Sequence, residues 1–231
     1  MSSLFSETLA AQGLNLQFVF DLRSIPENVL SVLFKQNVQV AGFQQLLLLG
    51  HGGTLLWQRL KETAPASADP IDDFTIRLVE QYFADNYSDT EFRIVYPGSA
   101  HIGLQALGKL AGWHHDSPFM VGVNEEWGSW YAYRAVVLAN TEFTPSQTAI
   151  TAHPCSVCDQ KVCINSCPAH AVQPGCFDIG KCIEYRKLPS SKCQHQCLAR
   201  NSCPVARQHQ YSEEQISYHY QRSWQVISKY Y

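Results

Sequence analysis

Cysteine is absent from the first 154 residues of this 231-residue chain. That part can form no disulfide and offers no thiolate to a metal. Charge is sparse as well: 16% of residues are charged and the formal net charge is −3. No basic tract occurs, so no nucleic-acid partner is expected. Long apolar runs are missing too. A strongly apolar run such as Leu46–Leu49 falls far short of the roughly 20 residues a membrane span needs, and no span is expected. Residues 1–23 lack a basic start followed by an apolar stretch, so no secretory leader is expected. The expectation is a cytoplasmic chain whose thiols stay reduced.

What the first part lacks, a short later stretch concentrates. All nine cysteines lie between Cys155 and Cys203. The first group reads Cys155-x2-Cys158-x4-Cys163-x3-Cys167-Pro168, and the second ends Cys193-x3-Cys197-x5-Cys203-Pro204. Bacterial two-cluster ferredoxins use C-x2-C-x2-C-x3-C-P, with the fourth cysteine ligating the other cluster. Here the middle gap is two residues longer. Structural zinc prefers paired C-x2-C hooks, and only Cys155/Cys158 makes one. Two [4Fe–4S] clusters need about eight thiolates. On the crossed arrangement, Cys155, Cys158, Cys163 and Cys203 hold one cluster, and Cys167, Cys182, Cys193 and Cys197 the other. Cys176 follows Pro174-Gly175 in a loop, whereas Cys182 opens a segment that reads as helical. Cys176 is therefore the expected spare thiol, although spacing alone does not decide between it and Cys182.

The rest reads as mixed α+β. Helices are expected at 3–12, 54–61, 70–86 and 99–110, and strands at 14–22, 44–49, 92–96, 120–123 and 129–139. Asp69 is placed to cap the third helix, with Pro70 at its first position. Ser99 is placed to cap the fourth. The nearly all-apolar run at 44–49 fits a strand buried on both faces. Gly50-His51-Gly52-Gly53 reads as a tight turn, lacking a P-loop lysine. Ser212 is a good cap for a last helix, with Ile216, Tyr220, Trp224 and Ile227 along one face. The expected boundaries are 1–145, 146–211 and a docking helix at 212–231.

Three segments carry a resemblance: Ala68-Asp69-Pro70-Ile71-Asp72, Ser99-Ala100-His101-Ile102-Gly103, and Glu126-Trp127-Gly128-Ser129-Trp130 running on through Tyr131 to Leu138. In order and spacing they resemble the Asn-Pro-Val-Asp, Ala-Ala-His-Val-Ala-Gly and Gly-Gly-Trp-Phe-Ala-Ile-Arg segments of the CblC cobalamin chaperones. A Gly-Ser-Trp strand followed by a two-cluster region also resembles epoxyqueuosine reductase and the reductive dehalogenases. The resemblance implies a nitroreductase-like domain holding cobalamin base-off, a ferredoxin-like 2[4Fe–4S] domain and a C-terminal helix. It implies Ser99, His101, Gly128, Ser129 and Trp130 as cofactor contacts. Two departures stand out. Gly98 replaces the acid that precedes this segment in epoxyqueuosine reductase, and no arginine occurs between Arg93 and Arg134, where the chaperones carry one for glutathione.

The expected function is an iron–sulfur oxidoreductase that reduces bound cobalamin and removes its upper axial ligand. One alternative is reduction of an organic substrate on cobalt, as in epoxyqueuosine reductase or the dehalogenases. The other is a non-catalytic electron or cobalamin carrier. The expected partners are cobalamin and an electron donor such as a ferredoxin, a flavodoxin or a reductase.

Overall fold

The structure, a computed structural model, describes residues 5–35, 38–63, 67–149 and 151–231. Part of two expected features, the helix at 3–12 and the loop at 64–69, lies outside them. The chain divides into two compact units, Met1–Gly112 with Tyr131–Ile150, and Trp113–Trp130 with Thr151–Tyr231. This corrects the expected boundaries. The segment at 113–130 groups with the cysteine region, and the last helix is part of that unit too.

The first unit is built on a four-stranded antiparallel sheet. Its strand order is Leu16–Asp21, Gln45–Gly52, Tyr131–Ala139, Phe92–Tyr96. Leu46 to Leu49 and Ala135 to Ala139 fill the two central strands and are at most 1% exposed. Leu47 pairs with Val137, and Val137 in turn with Ile94. Leucine and β-branched side chains suit strands covered on both faces. The second strand runs past the expected turn. It kinks between Leu49 and Gly50 and ends at Gly52, before helix Leu55–Thr63. His51 is therefore a buried strand residue, and its Nδ1 accepts a hydrogen bond from Arg134 Nε at 2.9 Å.

Helix Pro70–Asn86 forms as its first turn predicts, with Pro70 at the start and Asp72 and Asp73 beside the N-terminal dipole. Asp69 occupies the cap position, but its side chain makes no capping bond. The segment after Pro97 departs further. His101–Ile102 is a short strand paired with Phe34–Lys35, and the helix begins only at Leu104 with Gly103 at its cap. Ser99 caps nothing because extended backbone intervenes.

The second unit is made of short pieces. Helices Val162–Asn165 and Leu198–Asn201 form a matched pair. Each ends on the asparagine that opens the same tetrapeptide frame, Asn165-Ser166-Cys167-Pro168 and Asn201-Ser202-Cys203-Pro204. The backbone repeats as well. Ser166 N–H donates to Val162 O at 2.9 Å, and Ser202 N–H to Leu198 O at 3.0 Å. Three residues past each of these cysteines the chain turns left-handed, at His170 (φ 51°) and Ala206 (φ 47°). Between the halves lie a hairpin, Val172–Gln173 with Cys176–Phe177, and helix Ile179–Lys187. Helix Glu213–Tyr230 closes the unit, with the Ser212 hydroxyl accepting from Gln215 N–H at 3.2 Å. Its Ile216 and Tyr220 pack with Trp130 and Tyr211.

Candidate iron–sulfur centre

The repeat brings eight cysteines into two sets of four. Cys155, Cys158, Cys163 and Cys203 line one small hollow, and Cys167, Cys182, Cys193 and Cys197 line another. Each set therefore takes its odd member from across the repeat: Cys203 joins the first group and Cys167 the second. Phe119 is part of both walls. It sits in the 113–130 segment and packs in one core with Cys163, Cys167, Ala171, Val172, Ala199 and Cys203. The walls are otherwise largely apolar, as a cofactor shielded from water requires.

Cys176 lines neither hollow. It is exposed on the hairpin, its Sγ 3.6 Å from Gln173 Oε1. Cys182 lies on helix Ile179–Lys187 and faces the second hollow.

The thiols are poised as ligands needing a positive partner. Burial pushes Cys155 up to about 11, and the neighbouring Cys203, Cys163 and Cys158 add to the shift, with Lys161 acting against it. Burial likewise raises Cys182 to about 11, reinforced by Cys197 and opposed by Arg186. Cys163, Cys193, Cys197 and Cys203 are raised too, burial first in each case. Ligation requires thiolates, so bound metal must offset both burial and mutual repulsion. A zinc ion would draw four sulfurs to about 2.3 Å from one point. Each set of four cysteines lines one hollow, and a cluster spreads four thiolates over such a volume, one to each iron.

Two buried arginines brace this centre. Arg186 Nε donates to Cys193 O at 3.0 Å, and its Nη2 donates to Gln194 O at 3.0 Å and Tyr220 O at 3.2 Å. Arg200 lies over Trp130, 4.6 Å from its ring centre, and donates from Nη2 to Ser129 O. Sequence reasoning missed both residues. Their partners lie up to 71 positions away, beyond any local spacing rule.

The five residues expected to touch a corrinoid fall into two groups. Ser99 and His101 are exposed in the first unit. Ser129 and Trp130 are 0% exposed within the second, beneath Arg200. Gly128 adopts φ +59°, and a β-carbon there would stand 2.3 Å from Val205 O. The close approach its glycine allows is thus to the backbone just after Cys203-Pro204, rather than to a planar ring. As arranged, only Ser99 and His101 offer a corrinoid any surface, and the fit of these five residues to that cofactor is poor.

No family model matches the chain, and no curated protein matches it in sequence. Solved structures do. A selenomethionine-labelled epoxyqueuosine reductase matches with a TM-score of 0.51 at 13% identity, covering 89% of this chain and 66% of that one. The Bacillus subtilis epoxyqueuosine reductase gives 0.49 at 14% identity, covering 90% and 66%. An epoxyqueuosine reductase with a tRNA-Tyr epoxyqueuosine-modified stem loop gives 0.49 at 12%, covering 90% and 66%. The chain therefore has a mixed α+β fold similar to that of epoxyqueuosine reductase, an oxidoreductase. It spans just under two thirds of the length of these chains. The expectation of no nucleic-acid partner is corrected here, because one of these similar structures holds a tRNA stem loop. Near-neutral net charge measures the whole surface and is no guide to one binding face.

Proposed function

We propose that this chain is an iron–sulfur oxidoreductase carrying two [4Fe–4S] clusters, one on Cys155, Cys158, Cys163 and Cys203 and one on Cys167, Cys182, Cys193 and Cys197. Its clusters pass single electrons toward the reduction of an organic substrate. The observation that carries this reading is the division of eight cysteines, four and four, between two hollows in one unit. The likeness in fold to epoxyqueuosine reductase supports a reductase over a cobalamin chaperone. Removal of an upper axial ligand, the function placed first from the CblC resemblance, draws no support from these neighbours.

The protein's share of the chemistry is binding, insulation and tuning. Buried apolar walls around each set of thiols exclude water. Backbone N–H groups near the sulfurs, such as that of Arg200 at 3.5 Å from Cys197 Sγ, stabilise negative charge there. The reducing conditions such clusters need accord with a cytoplasmic setting.

The test is anaerobic reduction of the cluster-loaded chain with a low-potential reductant, followed by stepwise reoxidation with a one-electron acceptor. Two reducible clusters per chain, each returning one electron, are the expected result. A chain that loads no iron, or that takes up no electrons once loaded, would overturn the reading.

A further inference from the structure

The second unit buries two cations without burying anions to match them. Arg186 is 6% exposed and Arg200 is 7% exposed. The ion pairs found among the described residues involve neither. Their donors go to carbonyls, to hydroxyls and over aromatic rings. Neutral groups satisfy the N–H donors but leave the charge. A charge held out of water is ordinarily paired with an opposite one or set against a metal centre.

The internal repeat shows that local packing does not require the second of these charges. Arg200 stands three residues before Cys203, where the first half has Ile164 three residues before Cys167. Helices Val162–Asn165 and Leu198–Asn201 have the same length and the same bonds into the Cys-Pro turn. An aliphatic residue serves that backbone in one half, and a buried guanidinium replaces it in the other.

Given that the cysteines hold clusters as proposed, we infer that Arg200 is a counter-charge shared by both clusters, that Arg186 serves the Cys182-containing cluster alone, and that each raises the reduction potential of the cluster it faces. The geometry separates their reach. Arg200 follows Cys197 by three residues and precedes Cys203 by three, one cysteine from each set. Its N–H donates toward Cys197 Sγ at 3.5 Å, and its carbonyl accepts from Cys203 N–H at 3.1 Å. Arg186 grips the backbone at Cys193 and Gln194 and lines the second hollow beside Cys182 and Cys193, both in the second set. When a one-electron carrier reduces a cluster, the cluster gains one negative charge; no bond breaks and no proton is needed. A fixed positive charge nearby favours that reduced form.

The test is a redox titration of the anaerobic, full-length, cluster-loaded chain, read by electron paramagnetic resonance. Cys182→Ser assigns which signal belongs to which cluster. At a fixed applied potential, Arg200→Gln should lower the reduced-to-oxidised ratio of both clusters about ten-fold, equivalent to about 59 mV for a one-electron couple. Arg186→Gln should lower it for the second cluster only. Arg200→Lys, which keeps the charge, should stay within about three-fold of the parent, a shift under about 30 mV. Full loading of Arg200→Gln with unmoved potentials, or movement of one cluster alone, overturns the inference. If Arg200→Gln fails to load but Arg200→Lys loads, the need for charge stands. If both fail, Arg200 is a clamp on Ser129 and the inference falls. A parent chain without iron defeats the cluster reading itself, and metal analysis before any titration tells the two failures apart.

Discussion

Replacing Gly128 with alanine separates a packing role for this residue from a cofactor-facing one. Two costs can be worked from its surroundings. Its φ of +59° is left-handed, which costs a residue with a β-carbon about 1–2 kcal/mol. The added carbon would stand 2.3 Å from Val205 O and 3.1 Å from Val205 C. Backbone atoms cannot swing aside like the end of a side chain, so relief requires shifting the loop after Cys203-Pro204. Overpacking of this kind costs about 1–3 kcal/mol. Together these come to about 2–5 kcal/mol, a large part of the roughly 5–15 kcal/mol that typically separates folded from unfolded chains. With a urea slope of about 3 kcal/mol/M, the unfolding midpoint should fall by about 1 M. Anaerobic urea titration, with tryptophan fluorescence and cluster absorbance followed together, reads this. The first cluster should be lost before the second, because Val205 adjoins Cys203. An unchanged midpoint would refute the packing argument. An unchanged midpoint with lost corrinoid binding would return Gly128 to the ring-facing role expected from its sequence.

Cys176→Ser should retain both clusters, whereas Cys182→Ser should lose one; iron content decides, and the reverse pattern would exchange their roles. Gly108→Ala should destabilise the first unit even though alanine ordinarily stabilises a helix by about 1 kcal/mol, because its β-carbon would fall 1.8 Å from the Tyr133 hydroxyl. A raised thermal midpoint would contradict that. Burial, with Tyr87 beside it, lifts Tyr82 to about 12 from 10.0. The folded chain keeps a proton that the unfolded chain gives up, so this contribution is complete below pH 10 and is lost as pH rises toward 12. Tyr82→Phe should flatten the alkaline fall in stability, and an unaltered slope would show that the fall comes from other groups.

Much of the fold was legible because its signals are local. The apolar run Leu46–Leu49, the Pro70 helix start and the Ser212 cap each depend on a few adjacent residues. The expectation of two sets of four cysteines rested on a related signal, since Cys-Pro ends and short gaps constrain which thiols can meet. The helix expected from Ser99 was misread because Ser99 has the chemistry of a cap, yet His101–Ile102 pairs with Phe34–Lys35 instead. That pairing joins distant positions, and no window around Ser99 reveals it. Gly128, Ser129 and Trp130 were read as a ligand face because glycine permits close approach; spacing does not say what approaches. Here it is Val205. The segment at 113–130 was assigned to the wrong unit for the same reason, since only three-dimensional packing brings Phe119 to both sets of cysteines.

The most direct test of the central claim is metal and sulfide analysis of the anaerobically purified chain, with its visible and paramagnetic resonance spectra recorded on the same sample. The account predicts about eight irons and eight sulfides per chain, broad visible absorbance and two reducible clusters. One zinc ion per set of cysteines, with no inorganic sulfide and no visible band, would contradict it.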